Sequence, residues 1–178
     1  MSADFRSQLI ALLPRVRRFA LGLSRNTDEA DDLVQAACER AISRSSQWQP
    51  GSRLDSWMFR IVQNLYYDRV RSQTRRRAVH EGLGVISAGA EDGEAMAHNR
   101  LSIESVRRAV AMLPPDQKIT ILLVCVEGYS YKETAEALGL PIGTVTSRLT
   151  RARVSLARML GETARTAVKT GSMQIAGG

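Results

Sequence analysis

The chain has 178 residues, 44% hydrophobic, 24% charged and only 5% aromatic, with a formal net charge of +7 and a pI near 10.1. That apolar share excludes a chain disordered throughout, and the longest nearly unbroken apolar run, Ile119 to Val126, is far short of the ~20 residues that cross a bilayer. The excess of base points to a polyanionic partner. Charge appears early in Met1-Ser-Ala-Asp-Phe-Arg6, and no apolar segment with a small-residue cleavage site follows. We therefore expect a cytoplasmic protein without membrane insertion. Cys38 and Cys125 fall inside apolar helical patterns, which reads as two buried thiols in a reducing compartment.

In chain order, Leu9, Leu13, Val16, Ala20 and Leu23 recur at helical spacing and predict a first amphipathic helix. A second begins near Asp28-Glu29, acids suited to the positive end of the macrodipole, and puts Ala30, Leu33, Val34, Ala37 and Ala41 on one side. After the break Gln47-Trp-Gln-Pro-Gly-Ser52, a third turns Leu54, Trp57, Met58, Ile61 and Leu65 inward. Residues 74–101, opening in an arginine run and continuing through glycines and small residues, read as a flexible linker. Beyond it, Ile103, Val106, Val110 and Leu113 form a short helix stopped by Pro114-Pro115. Another helix starts with Asp116 in its first turn and ends at Gly128. Ser130-Tyr-Lys-Glu133 then fits a capping box opening a short helix to Leu138, Gly139 turns the chain, and a last helix runs from about Ile142 to Leu160. No alternating strand pattern occurs. The expected fold is all-α, two small helical domains at 1–73 and 102–161 joined by the linker, with a disordered tail at 162–178.

A short capped helix, a glycine turn and a longer basic helix make a helix-turn-helix, whose second helix enters the major groove of DNA. At ~100° per residue, Leu149, Ala152, Leu156, Met159 and Leu160 lie within about 60° of Val145, a buried stripe. Ser147, Thr150 and Arg151 stand opposite, flanked by Arg148 and Arg153, and no acid occurs between Thr144 and Gly161. Arg151 suits bidentate pairing to guanine, whereas Arg148 and Arg153 point sideways toward phosphates. On the third helix, Arg60, Asn64, Tyr67, Asp68 and Arg71 form a polar stripe, and Trp48 precedes it in a polar loop. Aromatic faces beside positive charge suit unpaired bases, which can stack on them for roughly 1 to 3 kcal/mol each. Trp57 and Tyr66 read as core.

Asp28-Glu-Ala-Asp-Asp-Leu-Val-Gln35, Ser56-Trp-Met-Phe-Arg-Ile61, Asn64-Leu65 and Asp68-Arg69 resemble region 2 of the extracytoplasmic-function sigma factors of bacterial RNA polymerase. Leu113-Pro-Pro-Asp-Gln117, Glu127-Gly-Tyr-Ser-Tyr-Lys-Glu133, Ala135-Glu-Ala-Leu-Gly139, Gly143-Thr-Val-Thr-Ser-Arg-Leu149 and Arg151-Ala-Arg153 resemble region 4 of the same family. The resemblance covers about residues 5 to 160. It implies a promoter-recognition subunit that binds RNA polymerase core, through the clamp of the largest subunit by Asp31, Asp32, Gln35 and Glu39 and through the flap by region 4. It also implies recognition of the −10 element by Trp48, Arg60, Asn64, Tyr67 and Arg71, with Trp48 near the pocket for a flipped base. Thr144, Thr146, Ser147, Arg148, Thr150, Arg151 and Arg153 would read the −35 element, although Thr146 stands where the family frequently has a basic residue. An anti-sigma factor and a role in a stress response are implied as well.

The rival binding-protein reading is a helix-turn-helix repressor or response-regulator output protein. Residues 1–72 lack the alternating strands that a receiver domain needs. An enzyme would need a constellation that is not visible: His80 and His98 lie in the linker, no glycine-rich phosphate loop follows a strand, and the cysteines lack zinc spacing. We expect no catalytic residue, no cofactor and no metal.

Overall fold

The computed structural model describes residues 3–24, 26–81 and 103–173. Among the described residues seven α-helices follow in order: α1 Ala3–Leu23, α2 Thr27–Ser43, α3 Leu54–Glu81, α4 Ile103–Ala111, α5 Pro115–Cys125, α6 Tyr131–Leu138 and α7 Ile142–Met173. A 3₁₀ turn at Ser45–Gln47 leads from α2 into the loop before α3, and no strand occurs among the described residues. The helix boundaries have local causes. Asn26 caps α2 by accepting from the Glu29 amide at 2.8 Å, and α5 begins on Pro115, whose missing N–H costs nothing in a first turn. At Ser130 and Glu133 the capping box is fully formed. Gly139 closes α6 in the left-handed region at φ 65°, where a side chain would be strained.

Two boundaries differ from the sequence reading. α3 runs unbroken through residue 73 to Glu81, so the arginines at 75 and 76 extend a helix instead of opening a loop. That stretch contains no proline or glycine, and arginine is a good helix former. α7 likewise continues to Met173 through most of the residues expected to form a disordered tail, a stretch that contains no proline to stop it. The rest of the linker and of the tail, 82–102 and 174–178, lies outside the described residues.

The faces also shift. α1 buries Phe5, Leu12 and Phe19 alongside Leu9, Val16, Ala20 and Leu23, leaving Leu13 half-buried. α3 adds Phe59 and Val62 to its inward set. α4 turns Ser105 and Ala109 inward while Ile103 and Val106 face out, because close packing against α1 and α7 favours small residues where the helices meet. Cys38 is half-buried and Cys125 exposed, which corrects the expectation of two buried thiols.

The decisive element is α5. Six consecutive residues, Lys118 to Leu123, are buried, as expected of a helix covered on every side. One side gives Ile121 to the small core of the second half, with Leu113, Ala135, Val145, Leu149 and Ala152. The other gives Ile119, Leu122 and Leu123 to the core of the first half, joined there by Tyr129, Ala137 and Leu138. The two helical units therefore share one apolar core across α1, α3, α5 and α6. Gly22 on α1 permits that approach, since a Cβ there would meet Leu122 Cδ2 at 2.6 Å.

Candidate nucleic-acid interface

On α7 the amphipathic split places the expected reading residues outside. Val145, Leu149 and Ala152 are buried, Leu156 and Met159 pack partly against them, and Thr146, Ser147, Thr150, Arg151 and Arg153 are exposed. Thr144 is half-buried. Local hydrogen bonds hold these side chains. The Thr146 and Thr150 hydroxyls donate to carbonyls one turn back at 3.1 and 3.0 Å, and Arg151 folds over Ser147, its Nε donating to the carbonyl oxygen at 3.3 Å. Arg153 donates to the Tyr131 hydroxyl of α6 at 3.3 Å. Arg148 is half-buried and forms an ion pair with Asp116 at 3.2 Å, so it ties α7 to the start of α5. Of the basic residues assigned to this helix, only Arg151 and Arg153 thus stand fully outward.

On α3, Arg60, Asn64, Asp68 and Arg71 are exposed and Tyr67 is half-buried, a line one turn apart along the helix. The line does not stop where the linker was expected. Asp68, Val70, Arg71, Thr74 and Arg75 border one shallow groove. Thr74 and Arg75 are site candidates that the sequence reading missed, and the helical register through Arg71 was the available signal. Arg69 points the other way and donates to the Glu29 carbonyl at 2.8 Å, fastening α3 to α2. Arg60 lies against the α6–α7 turn, its guanidinium occupying the space that a Cβ at Gly139 would need.

Trp48 departs from the expected exposed stacking surface. It is 6% exposed and packs against Phe5, ring centroids 5.5 Å apart. The 3₁₀ turn swings the indole back under α1, and burying that large apolar surface outweighs the cost of an Nε1–H left without a partner.

The polar side of α2 carries Asp31, Asp32, Gln35 and Glu39, all exposed. Arg17 of α1 grips Asp31 with two hydrogen bonds, 2.8 and 3.2 Å, and holds that carboxyl below the usual carboxylate range. Gln35 donates to Glu39 at 3.0 Å. The result is an acidic, outward-facing surface on a chain that is otherwise basic.

A further set of charges joins the two halves. The Glu127 side chain is fully buried and accepts from Arg15 Nε at 3.0 Å and from Arg18 Nε at 2.9 Å. Arg53 bonds Asp55 and Glu133 and lies over the Tyr129 ring, 4.7 Å from its centroid. Burial alone would raise the Asp55 carboxyl, but hydrogen bonds from Arg53, Tyr129 and the Ser56 amide hold it well below its usual range. Burial, with the neighbouring Asp55 carboxylate, pushes the Tyr129 phenol up to about 12. Among the described residues, no group of three or more His, Cys, Asp or Glu side chains could hold a metal, and no helix is long and apolar enough to cross a membrane.

Comparison with known proteins places this geometry. Residues 9–76 match the family Sigma-70 region 2, and residues 103–156 match Sigma-70, region 4. The chain is 36% identical over 160 residues to the ECF RNA polymerase sigma factor EcfG of Rhodopseudomonas palustris, covering 90% of this chain and 87% of that protein. It is 35% identical over 150 residues to the ECF sigma factor SigM of Mycobacterium tuberculosis, covering 83% and 72%. Among solved structures, the sigma factor RpoE of Bartonella quintana, crystallised with the anti-sigma factor NepR, shares 34% identity at a TM-score of 0.72, covering 90% of this chain and 98% of that one. CnrH, solved in complex with the cytosolic domain of CnrY, shares the fold at a TM-score of 0.63 and 22% identity, covering 89% of this chain and 88% of that one.

Proposed function

We propose that this chain, which belongs to the extracytoplasmic-function branch of the sigma-70 family, reads a promoter at two places while α2 holds RNA polymerase core. The observation that carries the reading is the pair of outward polar stripes, on α3 and on α7, each within its own matched region. The α7 stripe lies on the amino-terminal half of a helix-turn-helix recognition helix, the part that reaches base edges in the major groove. Thr144, Thr146, Ser147, Thr150 and Arg151 would read the −35 element and Arg153 would hold its phosphates, with Arg148 joining only if its bond to Asp116 is shared. The α3 stripe of Arg60, Asn64, Tyr67 and Arg71, lengthened by Thr74 and Arg75, would follow the −10 element. Unstacking a base costs a few kcal/mol, so a surface that captures extruded bases couples opening to sequence.

Trp48 belongs to this surface only if its loop leaves α1; its burial supports a structural role in holding the start of α3. Asp31, Asp32, Gln35 and Glu39 fit a basic partner, and the clamp of the largest polymerase subunit is the assignment we favour, with the flap as the partner of region 4. The kinship with RpoE, which was crystallised with NepR, supports control by an anti-sigma factor, in keeping with a stress response. Such a subunit works in the cytoplasm and does no chemistry of its own.

The test is transcription by purified core polymerase, with and without this chain, on a library of genomic fragments. Transcripts that depend on the chain and share an upstream motif are expected. Core binding without any chain-dependent transcript would overturn the reading.

A further inference from the structure

Across the outward face of α7 the hydroxyls and guanidinium groups are interrupted by one branched apolar side chain, Val154. It is 66% exposed, and nine positions at ~100° each place it about 180° from the buried Val145, at the middle of that face. Its neighbours one turn away, Thr150, Arg151, Ala157 and Arg158, are exposed as well. A lone apolar side chain on a protein surface is ordinary. This one stands where water and helix propensity both favour another choice, because a β-branched residue loses side-chain freedom in a helix and valine gains nothing by facing solvent. Local rules are broken in this way chiefly at functional sites.

The hydroxyls around it are already engaged. Thr150 Oγ1 donates to the Thr146 carbonyl at 3.0 Å, Thr146 Oγ1 to the Ile142 carbonyl at 3.1 Å and Ser147 Oγ to the Thr144 carbonyl at 3.0 Å. With its proton committed to the backbone, Thr150 keeps its methyl as the part free to meet a ligand, so Thr150 and Val154, four positions apart, line up methyl groups along the face. Arg151 lies three positions before Val154, a rise of about 4.5 Å against roughly 3.4 Å per base pair, so the two residues face adjacent pairs. Ser147, Thr150, Arg151 and Val154 thus take the spacing i, i+3, i+4 and i+7, the one by which a homeodomain helix reaches bases in the major groove.

Valine neither donates nor accepts. Pressed against a base edge, it would strand the amino group of adenine or cytosine or the carbonyl of guanine. The C5 methyl of thymine is the group in that groove that it meets favourably. Resting on the reading of α7 as the helix that enters the −35 duplex, we infer that Val154, with the Thr150 methyl one turn before it, recognises a thymine methyl beside the base pair that Arg151 reads. Val154 is then a specificity-determining residue that works by apolar contact, next to one that works by hydrogen bonds.

The experiment uses the full chain joined to core polymerase and two libraries of randomised duplex fragments, one made with thymine and one with uracil in its place, which removes the methyl and nothing else. From the thymine library the parent should select a motif with thymine at one position beside a guanine, preferred about fourfold, the scale of burying one methyl group. Val154→Ala, which puts the best helix former at an exposed site, should lose that preference and retain the guanine. On the uracil library the parent should lose the preference too, and Val154→Ala should select alike from both. A thymine preference that survives Val154→Ala, or that the parent keeps for uracil, would overturn the inference and leave the −35 reading in place. A parent that selects no motif would overturn that reading and this inference with it.

Discussion

Arg151 and Arg153 are two positions apart on one helix and point in different directions, and on that ground we propose different work for them. Arg151 lies over Ser147 on the outward face, from which its fork can extend to a guanine edge, whereas Arg153 leans on the Tyr131 hydroxyl at the flank. Arg151→Ala should therefore weaken binding to the preferred upstream duplex by ~1 to 3 kcal/mol and relax its sequence preference, while Arg153→Ala should weaken all duplexes alike. Equilibrium binding to a matched and a scrambled duplex separates the two. Trp48 calls for a different measurement. Its ring fills a buried site against Phe5, so Trp48→Ala should cost ~3 to 5 kcal/mol in urea denaturation. Trp48→Phe gives up no hydrogen bond, because Nε1 has no partner, and should cost much less. Equal costs for the two substitutions would contradict this packing. The sequence placed Trp48 in a polar loop, and nothing in that local composition revealed that Phe5, far away in the chain, would cover it.

At the scale of the helices, α2 is the element whose two sides were both legible. Ala30, Leu33, Ala37 and Ala41 recur at helical spacing and are buried, and the four polar residues opposite are exposed. Charge reversal at Asp32, which is exposed, should reduce copurification with core polymerase without lowering the melting temperature appreciably; unchanged copurification would remove α2 from the polymerase interface. The helix-turn-helix was legible for a related reason, since the capping box and Gly139 are local signals that tertiary packing has no cause to override. α4 was not. Its pattern of Ile103 and Val106 satisfies the helical period, yet the faces of α1 and α7 that it meets select Ser105 and Ala109 instead. Linker and tail boundaries failed because composition marks where a chain can be irregular, while α3 and α7 continue as long as no residue stops them.

For the molecule as a whole, the closed arrangement left one trace in the sequence, the apolar stretch of α5, which a helix covered on one side only would not need. Which charges would meet across the junction was not legible, since Arg15 and Glu127 are 112 positions apart. Those charges give the closed form a dependence on pH whose sign can be worked out. The Glu133 carboxyl is lowered to about 2, first by the Ser130 amide, then by the Ser130 hydroxyl and by Arg53 across the junction. Asp55 is lowered as well, although burial acts against it. A depressed carboxyl contributes stability that is fully present above its ordinary value, near 4.3, and is lost as the pH falls through the folded value. Only what crosses the junction, Arg53 on Glu133 and Tyr129 on Asp55, belongs to closure, and that part should be present at neutrality and weaken below about pH 5 toward pH 2, whereas the Ser130 bonds to Glu133 support the start of α6 whether or not the halves meet. Tyr129 works in the opposite sense: its raised phenol favours closure below its ordinary value near 10, a contribution lost as pH rises through about 12. Arg53→Gln removes one partner from both carboxylates, so it should make the acid transition start at higher pH, whereas Ser130→Ala acts on Glu133 alone and should shift it less. Energy transfer between the halves, followed from pH 7 down to 2 alongside far-ultraviolet circular dichroism, measures opening separately from loss of helix. An acid transition that Arg53→Gln leaves in place would mean that other groups govern the closed form at low pH.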